Sequence, residues 1–526
     1  MAGLKNGSLL IILWMLGMVA PYRAAATRLF IAMDSLGQHD HLRAYGIAYT
    51  ALQKGIAVDW LLNYKCGSFA MHYSKEMEKL CMARGVTYSK IADDAYLTIT
   101  ARVKAPDYNG DVIKLTKAPR IAVYTPLNKE PWDDAVTLAL TYAGIPFDKV
   151  YANEVLAGAL DRYDWLHIFH EDFSGQFGKF WFGFRNSDWY LHDVRTEDSI
   201  ARLHGYKKVS QLELAVVMKI RDFIGKGGNM FAMCSATETF DIALAAAGID
   251  ICKTPYDGDP ADTDAQRRLD YSKCLAFTNF KLSFDSITYP HSDIDNNTAR
   301  MIPENTDFFY INSFNAKVNP IPALLCQNHT QTIKGFWGQT TAFRNAVLKP
   351  ETLVLAECKA LNEAKYLHGE WGSGTWTFYG GHDPEDYRHT VGAKPTDLML
   401  HAHSPGYRLI LNNVLFNAAK SKNSAVVAVK EAAPVAAPAE DENLVISRIE
   451  LDPDPENGEL LIKVPETAAS ATAFRIHTVA VLDPTGKEVL SKNCNDLKVT
   501  LNIADLAAGV YIIKINSVYA GRIVKE

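Results

Sequence analysis

The stretch Gly227-Gly-Asn-Met-Phe-Ala-Met-Cys-Ser-Ala-Thr-Glu-Thr-Phe240, continued by the apolar run to Ala247, constrains this chain more than any other. A Gly-Gly turn, a short buried strand, one cysteine and an amphipathic helix follow one another without a spacer. Such a step suits folds in which helices cover a parallel sheet, and the sharp turn lifts its side chain clear of the sheet. Cys234 occupies that turn. The helix N-terminus behind it favours a thiolate and steadies an oxyanion, with the Ser235 backbone N–H as one donor. Cys234 is therefore the first candidate nucleophile, and the alternative is a structural cysteine at a sheet end.

The surrounding pattern agrees with that fold class. Leu29 to Ala32 is apolar, His41 to Lys54 carries helical periodicity, and Ala57 to Leu62 is apolar again, so 27–118 is expected to form an N-terminal α/β unit. A second unit, 119–419, starts with a buried strand at Arg120 to Tyr124 and a helix ending near Gly144. Strands at Phe147 to Tyr151 and around Trp165 follow, with a helix over Gln211 to Gly225 leading into the Cys234 strand. Alternation of this kind predicts a parallel sheet with covered faces, whose ligands gather at the carboxyl ends of the strands. Residues 248–365 are less regular, with short β-like runs at Phe308 to Ile311 and Thr352 to Ala356, and are expected to form a capping insertion. The α/β pattern returns with a strand at Gly374 to Tyr379 and a helix at Tyr407 to Ala419.

A chain of 526 residues exceeds what one core usually holds. Residues 1–26 have Lys5, an apolar stretch from Leu9 to Val19 and Ala24-Ala-Ala26, which is the make-up of a signal peptide. No run is long enough for a membrane span, and a net charge of −6 without a basic block argues against nucleic acid as a partner. The eight cysteines are sparse and show no CxxC spacing, so neither a disulfide scaffold nor a zinc ribbon is implied, and one or two disulfides are possible in an oxidising compartment. Residues 420–441, with Glu431-Ala-Ala-Pro-Val-Ala-Ala-Pro-Ala-Glu-Asp441, form a linker by composition. The remaining 442–526 switch to short alternating runs, which predicts a small β-sandwich.

Three further groups carry candidate chemistry. His167-Ile-Phe-His-Glu-Asp172 places His170, Glu171 and Asp172 just past a strand, where they can face a ligand; loop-stabilising hydrogen bonds are the alternative. The aromatic segment from Phe173 to Trp189 can stack on a sugar face or pack as a cap. Asp34, in Asp34-Ser-Leu-Gly-Gln-His-Asp-His41, follows the first strand and suits a polar ligand or a helix cap. His382, Asp383, His389, His401 and His403 show no recognised ligand spacing, so no metal is assigned. Without a GxGxxG or Walker pattern, no nucleotide or other cofactor is expected.

Three resemblances rest on these residues. The segments Val481-Leu-Asp-Pro-Thr-Gly-Lys-Glu-Val-Leu490, Leu501-Asn-Ile-Ala-Asp-Leu-Ala-Ala-Gly-Val-Tyr-Ile-Ile-Lys-Ile515 and Gly521-Arg-Ile-Val-Lys-Glu526 resemble the sorting domain of type IX secretion cargo in Bacteroidetes. That resemblance implies type IX machinery as a partner of 442–526, passage across the outer membrane, removal of the module, and release or surface attachment. The region from Arg120 to Lys420 is similar to the class I glutamine amidotransferase-like superfamily, in particular its ThuA-like branch. The Cys234 stretch carries this likeness together with Gly374-Thr-Trp-Thr-Phe-Tyr-Gly-Gly-His-Asp-Pro-Glu-Asp-Tyr387 and Ser404-Pro-Gly-Tyr-Arg-Leu-Ile-Leu-Asn-Asn413. It implies a flavodoxin-like core and His382 as the base for Cys234. In that superfamily a glutamate two residues past the histidine completes the triad. Here the glutamate is three residues on, so Asp383, Glu385 or neither orients His382.

The whole chain also resembles exported Bacteroidetes proteins labelled asparagine synthetase B, through His41-Leu-Arg-Ala-Tyr-Gly46 and Asp59-Trp-Leu-Leu-Asn-Tyr64. Genuine asparagine synthetase B enzymes expose an N-terminal cysteine and carry a Ser-Gly-Gly-x-Asp-Ser loop. This chain has no such loop, and its mature start is expected near Thr27. Taken together, these features predict an exported cysteine-dependent amide or acyl hydrolase. The alternative is a non-catalytic surface module that binds carbohydrate or peptide.

Overall fold

The structure is a computed structural model that describes residues 27–126, 134–168, 170–295, 302–390, 392–419, 449–454, 457–464, 475–483, 487–516 and 518–525. The expected signal peptide and the linker lie outside these residues. The chain divides into two units, Met1–Asn423 and Ser424–Glu526.

The first unit contains two sheets. The N-terminal one is ordered β4-β1-β3-β2-β5, from β1 (Arg28–Ile31), β2 (Val58–Leu61), β3 (Ser68–His72), β4 (Ser89–Ile91) and β5 (Val112–Leu115). Its neighbouring strands are all antiparallel, unlike the parallel arrangement that the strand–helix–strand pattern suggests. The difference lies in β3. β1 and β2 do run the same way around helix α1 (His41–Gln53), but β3 inserts between them, antiparallel to both. The reversal that makes this possible occupies Asn63, Lys65, Cys66 and Gly67, all with left-handed backbone. Three of those four are not glycine, so the turn carries little compositional signature.

The main sheet runs β11-β10-β13-β14-β15-β9-β8-β6-β7, with a short strand paired to β14. Its parallel half consists of β6 (Ile121–Tyr124), β7 (Asp148–Val150), β8 (Trp165–Ile168), β9 (Asn229–Met233) and β15 (Gly374–Tyr379). β9 lies between β8 and β15, and every one of its residues is buried, as expected for a parallel strand covered on both faces. The other half is antiparallel: β10 (Phe308–Ile311), β11 (Thr332–Lys334), β12 (Phe343–Arg344), β13 (Leu353–Cys358) and β14 (Glu363–Trp371). Residues from Phe308 to Cys358 therefore extend the sheet edgewise, where the sequence pattern suggested a cap. The fold is a mixed α/β arrangement with a parallel-containing sheet.

Helices cover this sheet because their apolar stripes need a partner face. They are α2 (Ala135–Ala143), α3 (Asp188–Leu203), α4 (Val209–Gly225), α5 (Ala236–Ala245) and α6 (Pro405–Phe416). α1 and α2 pack closely at Gly46, where an added Cβ would come within 1.8 Å of the Ala143 carbonyl oxygen. One hydrophobic core runs from Leu29 and Trp60 through Leu140 to Leu411 and Tyr366, so the N-terminal sheet shares its core with the main one. Arg408 on α6 fastens the two. Its buried guanidinium donates to the carbonyls of Met33 at 3.2 Å and Cys66 at 2.6 Å and to the Tyr45 hydroxyl at 3.2 Å. All eight cysteines, each within the described residues, are free thiols. No helix of the described residues is long and apolar enough to cross a membrane.

The second unit has two antiparallel sheets. β16 (Glu450–Asp454), β17 (Glu459–Lys463) and β20 (Lys498–Asn502) form one; β18 (Ile476–Leu482), β19 (Glu488–Asp496), β21 (Gly509–Ile515) and β22 (Val518–Lys525) form the other. β20 alternates buried and exposed residues, and Leu460, Ile462, Leu501, Val479, Val481 and Ile513 join both sheets in one core.

Candidate active site

Cys234 directly follows β9 and has φ +55°, a left-handed backbone that a residue with a Cβ rarely adopts. Thr237 closes the turn, its N–H and its hydroxyl both donating to the Cys234 carbonyl, at 3.2 and 2.7 Å. α5 starts two residues on, so the sulfur stands at a sheet rim beside a helix N-terminus.

Two loops meet this turn. The Cys234 N–H donates to the Gly381 carbonyl at 3.1 Å, and Gly381 and His382 donate in turn to Thr340 and Trp337 carbonyls at 2.7 and 2.8 Å. The loop at Trp337 to Thr341 thus lies across both the cysteine and the histidine. It is held from below by Glu238 on α5, whose Oε1 accepts from Thr340 Oγ1 at 3.0 Å, and by buried Lys365, which donates to the Phe336 and Thr341 carbonyls at 2.5 and 2.7 Å. The same loop aims the Gln339 N–H at Cys234 Sγ, 3.3 Å away. The Gln339 side chain is itself anchored, its Nε2 donating to the Gly178 carbonyl at 2.6 Å.

His382 lines the same cavity as Cys234 and acts on its thiol. Burial pushes the thiol up, but His382, with the N–H groups of Gln339 and Ser235, outweighs it and holds the thiol below its ordinary value. The His382 ring stacks on His389 at 4.0 Å between centroids and lies 5.0 Å from the ring of His170.

The other expected site residues separate into distinct roles. His170 lines the cavity, and its carbonyl accepts from Ser235 Oγ at 3.0 Å. Glu171 lines the cavity as well, its carbonyl accepting from Thr239 Oγ1 at 3.3 Å. Asp172 also lines the cavity, with its oxygens accepting from the N–H groups of Ser174 and Gly178, at 2.8 and 2.7 Å, and from His291 Nε2 at 3.0 Å. Asp383 accepts from the Tyr407 hydroxyl at 2.7 Å and the Glu385 N–H at 2.8 Å, while Glu385 pairs with His401 Nδ1 at 3.1 Å. Asp34 accepts from the Gly37 N–H and faces Lys65; it belongs to the N-terminal sheet and is not among the residues lining the cavity.

The cavity in front of Cys234 has a volume of about 710 Å³, ample for a small-molecule ligand. One wall is aromatic, with Phe177, Phe180, Phe184, Trp189 and Tyr289; Trp337 and Arg388 stand on the side of the His382 loop. The sequence pattern singles out the aromatic segment, and His389 only within a histidine-rich group, but gives no sign of Gly338, Gln339 and Glu213, which also line the cavity. The first two sit in an aperiodic loop and act through backbone atoms, which leave no side-chain signature.

Among the described residues, Asp250, Cys252 and Asp257 bring possible metal-ligand atoms within 4.8 Å of one another. Lys208 already occupies this cluster, its Nζ 2.9 Å from Asp257 and also paired with Asp250 and Asp259. The group is better described as an ion-pair knot than as a metal centre.

Close packing of the two loops yields a test. A Cβ on Gly338 would lie 2.8 Å from the Gly381 carbonyl carbon and the His382 nitrogen, both backbone atoms. Gly338→Ala is expected to push the His382 and Gln339 loops apart and slow iodoacetamide labelling of Cys234 several-fold; an unchanged rate would show that this contact does not set the geometry.

Fold and site together define a mixed α/β protein with a cysteine–histidine pair at a sheet rim, followed in the chain by a separate all-β module. Residues 451–525 match the family described as "Secretion system C-terminal sorting domain". The all-β module is thus a type IX sorting domain, which directs the chain through the type IX machinery to the cell surface or beyond. No curated protein matches the chain. Among solved structures, Cytoplasmic Protein STM3548 from Salmonella typhimurium is similar at 11% identity and a TM-score of 0.29, covering 56% of this chain and 97% of its own. Cytoplasmic Protein STM1381 from Salmonella typhimurium LT2 is similar at 13% identity and a TM-score of 0.27, covering 56% and 98%. A β-galactosidase from Bacillus circulans sp. alkalophilus gives 10% identity and a TM-score of 0.22, covering 74% and 41%. At these TM-scores none of the three assigns a fold family or a function.

Proposed function

We propose that the first unit is a secreted cysteine-dependent hydrolase of an amide or related acyl bond, built on a class I glutamine amidotransferase-like core of the ThuA-like branch. One observation carries this reading. Cys234 holds a strained left-handed backbone at the rim, with the Gln339 N–H aimed at its sulfur and His382 drawing its thiol below the ordinary value. In the reaction, His382 takes the thiol proton and Sγ attacks the carbonyl carbon. The oxyanion forms beside the N–H groups of Ser235 and Gln339. The C–N bond then breaks, the amine leaves with the proton from His382, and water cleaves the thioester to give the acid and regenerate the thiol. ATP-dependent asparagine synthesis forms no part of this reading.

The aromatic wall favours a second reading, a surface module that binds carbohydrate or peptide in the same cavity. Phe180, Phe184 and Trp189 contact one another at centroid distances of 5.1 to 5.8 Å, and Trp189 stays 37% exposed. A panel of N-acyl amides distinguishes the two. The hydrolase reading expects turnover that Cys234→Ala abolishes and that a chelator leaves intact. Ligand binding without turnover, unchanged by Cys234→Ala, would support the second reading instead.

A further inference from the structure

Part of the cavity wall is acidic, with Glu171, Glu197 and Glu213. Glu213, on α4, lines the cavity while its residue is only 4% exposed. No described residue hydrogen-bonds to its carboxyl group or forms an ion pair with it. The nearby described cations are engaged elsewhere. Lys179 donates to the carbonyls of Ser283 and Pro290 at 2.9 and 2.8 Å, His291 is paired with Asp172, and Arg388 lies over the Trp337 ring, 4.8 Å from its centroid. Glu171 and Glu197 line the same region of the cavity, and their fields reach Glu213. A buried carboxyl group without a partner among the described residues is costly unless something else satisfies it.

We propose that the substrate carries a cationic nitrogen, a primary ammonium on an apolar or aromatic stem, which Glu213 receives while the scissile carbonyl lies at Cys234. The assignment deepens the hydrolase reading and rests on it for the position of the carbonyl. The chemistry is consistent along the whole cavity. Phe177, Phe180 and Trp189 suit an apolar stem and attract a cation through their ring faces, and the acidic wall supplies the counter-charge. Burial first, then the charges of Glu197, Glu171 and Asp172, push the Glu213 carboxyl well above the usual range. A bound ammonium would offset that burial and repulsion and favour the charged carboxylate.

The test uses two matched probes, benzylammonium and benzyl alcohol, which share a ring and differ in charge. Their binding to the full chain carrying Cys234→Ala is measured by calorimetry at neutral pH, so no thiol chemistry enters. Benzylammonium is expected to bind about ten-fold tighter or better, and Glu213→Gln should remove that preference. Equal affinities, or no measurable binding of benzylammonium, would overturn the assignment even if the Glu213→Gln chain fails to fold. A preference that survives in folded Glu213→Gln would overturn it too. Cys234 reactivity is measured separately, so an inert thiol would sink the hydrolase reading without touching this result.

Discussion

Glutamine in place of His291 is expected to destabilise the first unit by about 3–5 kcal/mol at pH 6, the usual cost of removing one partner from a buried ion pair. His291 is fully buried, with Nε2 3.0 Å from Asp172 and Nδ1 3.8 Å from Glu238. Both carboxylates do structural work. Asp172 pins the N–H groups of Ser174 and Gly178, and Glu238 accepts from Ser292 Oγ at 2.7 Å and from Thr340 in the loop over Cys234. Burial alone would lower the His291 pKa, but the two carboxylates raise it to about 9. Asp172 moves the other way: burial raises it, and His291 with the Ser174 hydrogen bonds brings it to about 2.

The pH dependence follows from these directions. The histidine contribution is fully present below its unfolded value of ~6.5 and fades as pH climbs through about 9. The aspartate contribution is present above ~3.9 and fades only as pH falls through about 2. All nine tryptophans precede residue 424, so tryptophan fluorescence in urea follows the first unit and not the sorting domain. The gap between wild type and His291→Gln should be largest near pH 6 and shrink toward pH 9.5. A gap of the same size at both pH values would mean that the histidine acts by packing and not by charge.

Much of this arrangement is legible in the sequence, and the remainder fails for identifiable reasons. The Gly227–Ala247 step announces the central strand and the rim cysteine, because a buried parallel strand must be apolar throughout and its turn must be tight. The switch to alternating runs after the linker marks the sorting domain equally well. β3 is missed because its turn uses non-glycine left-handed residues, and with it goes the antiparallel character of the first sheet. The strands from Phe308 to Cys358 are short and half exposed, so their pattern resembles that of a surface insertion.

At the site, Cys234 and His382 are visible because side-chain chemistry requires those residue types. Gln339 is invisible because only its backbone N–H points at the sulfur. Spacing cannot identify a third triad member either: Asp383 and Glu385 lie next to His382 in sequence, yet they bond to Tyr407 and His401. Glu213 lies on a helix whose other buried residues are apolar, such as Val216 and Ile220, and nothing in its spacing separates it from a solvated face.

The second large effect concerns the cysteine itself. The largest single influence on Cys234 is burial, which opposes ionisation; His382 together with the Gln339 and Ser235 N–H groups outweighs it, and His382 is the largest of these favourable influences. Removing His382 leaves burial and two N–H groups, and the thiol should revert toward or above its ordinary value of ~8.5. At pH 6 the thiolate population then collapses, and the labelling rate is expected to fall by roughly ten-fold or more, the loss being partly offset by the greater intrinsic nucleophilicity of a more basic thiolate. Cys252 and Cys274, buried and pushed up without a histidine partner, serve as internal controls that should stay unlabelled under the same conditions.

The decisive measurement is the rate of iodoacetamide alkylation at Cys234 in the folded full chain from pH 5 to 9.5, read by peptide mass spectrometry for wild type and His382→Ala. Rapid labelling at pH 6, with a midpoint below the ordinary thiol range that moves up in His382→Ala, is the predicted result. Slow labelling at pH 6 with the same profile in both proteins would contradict a histidine-activated nucleophile and leave Cys234 as a packing residue.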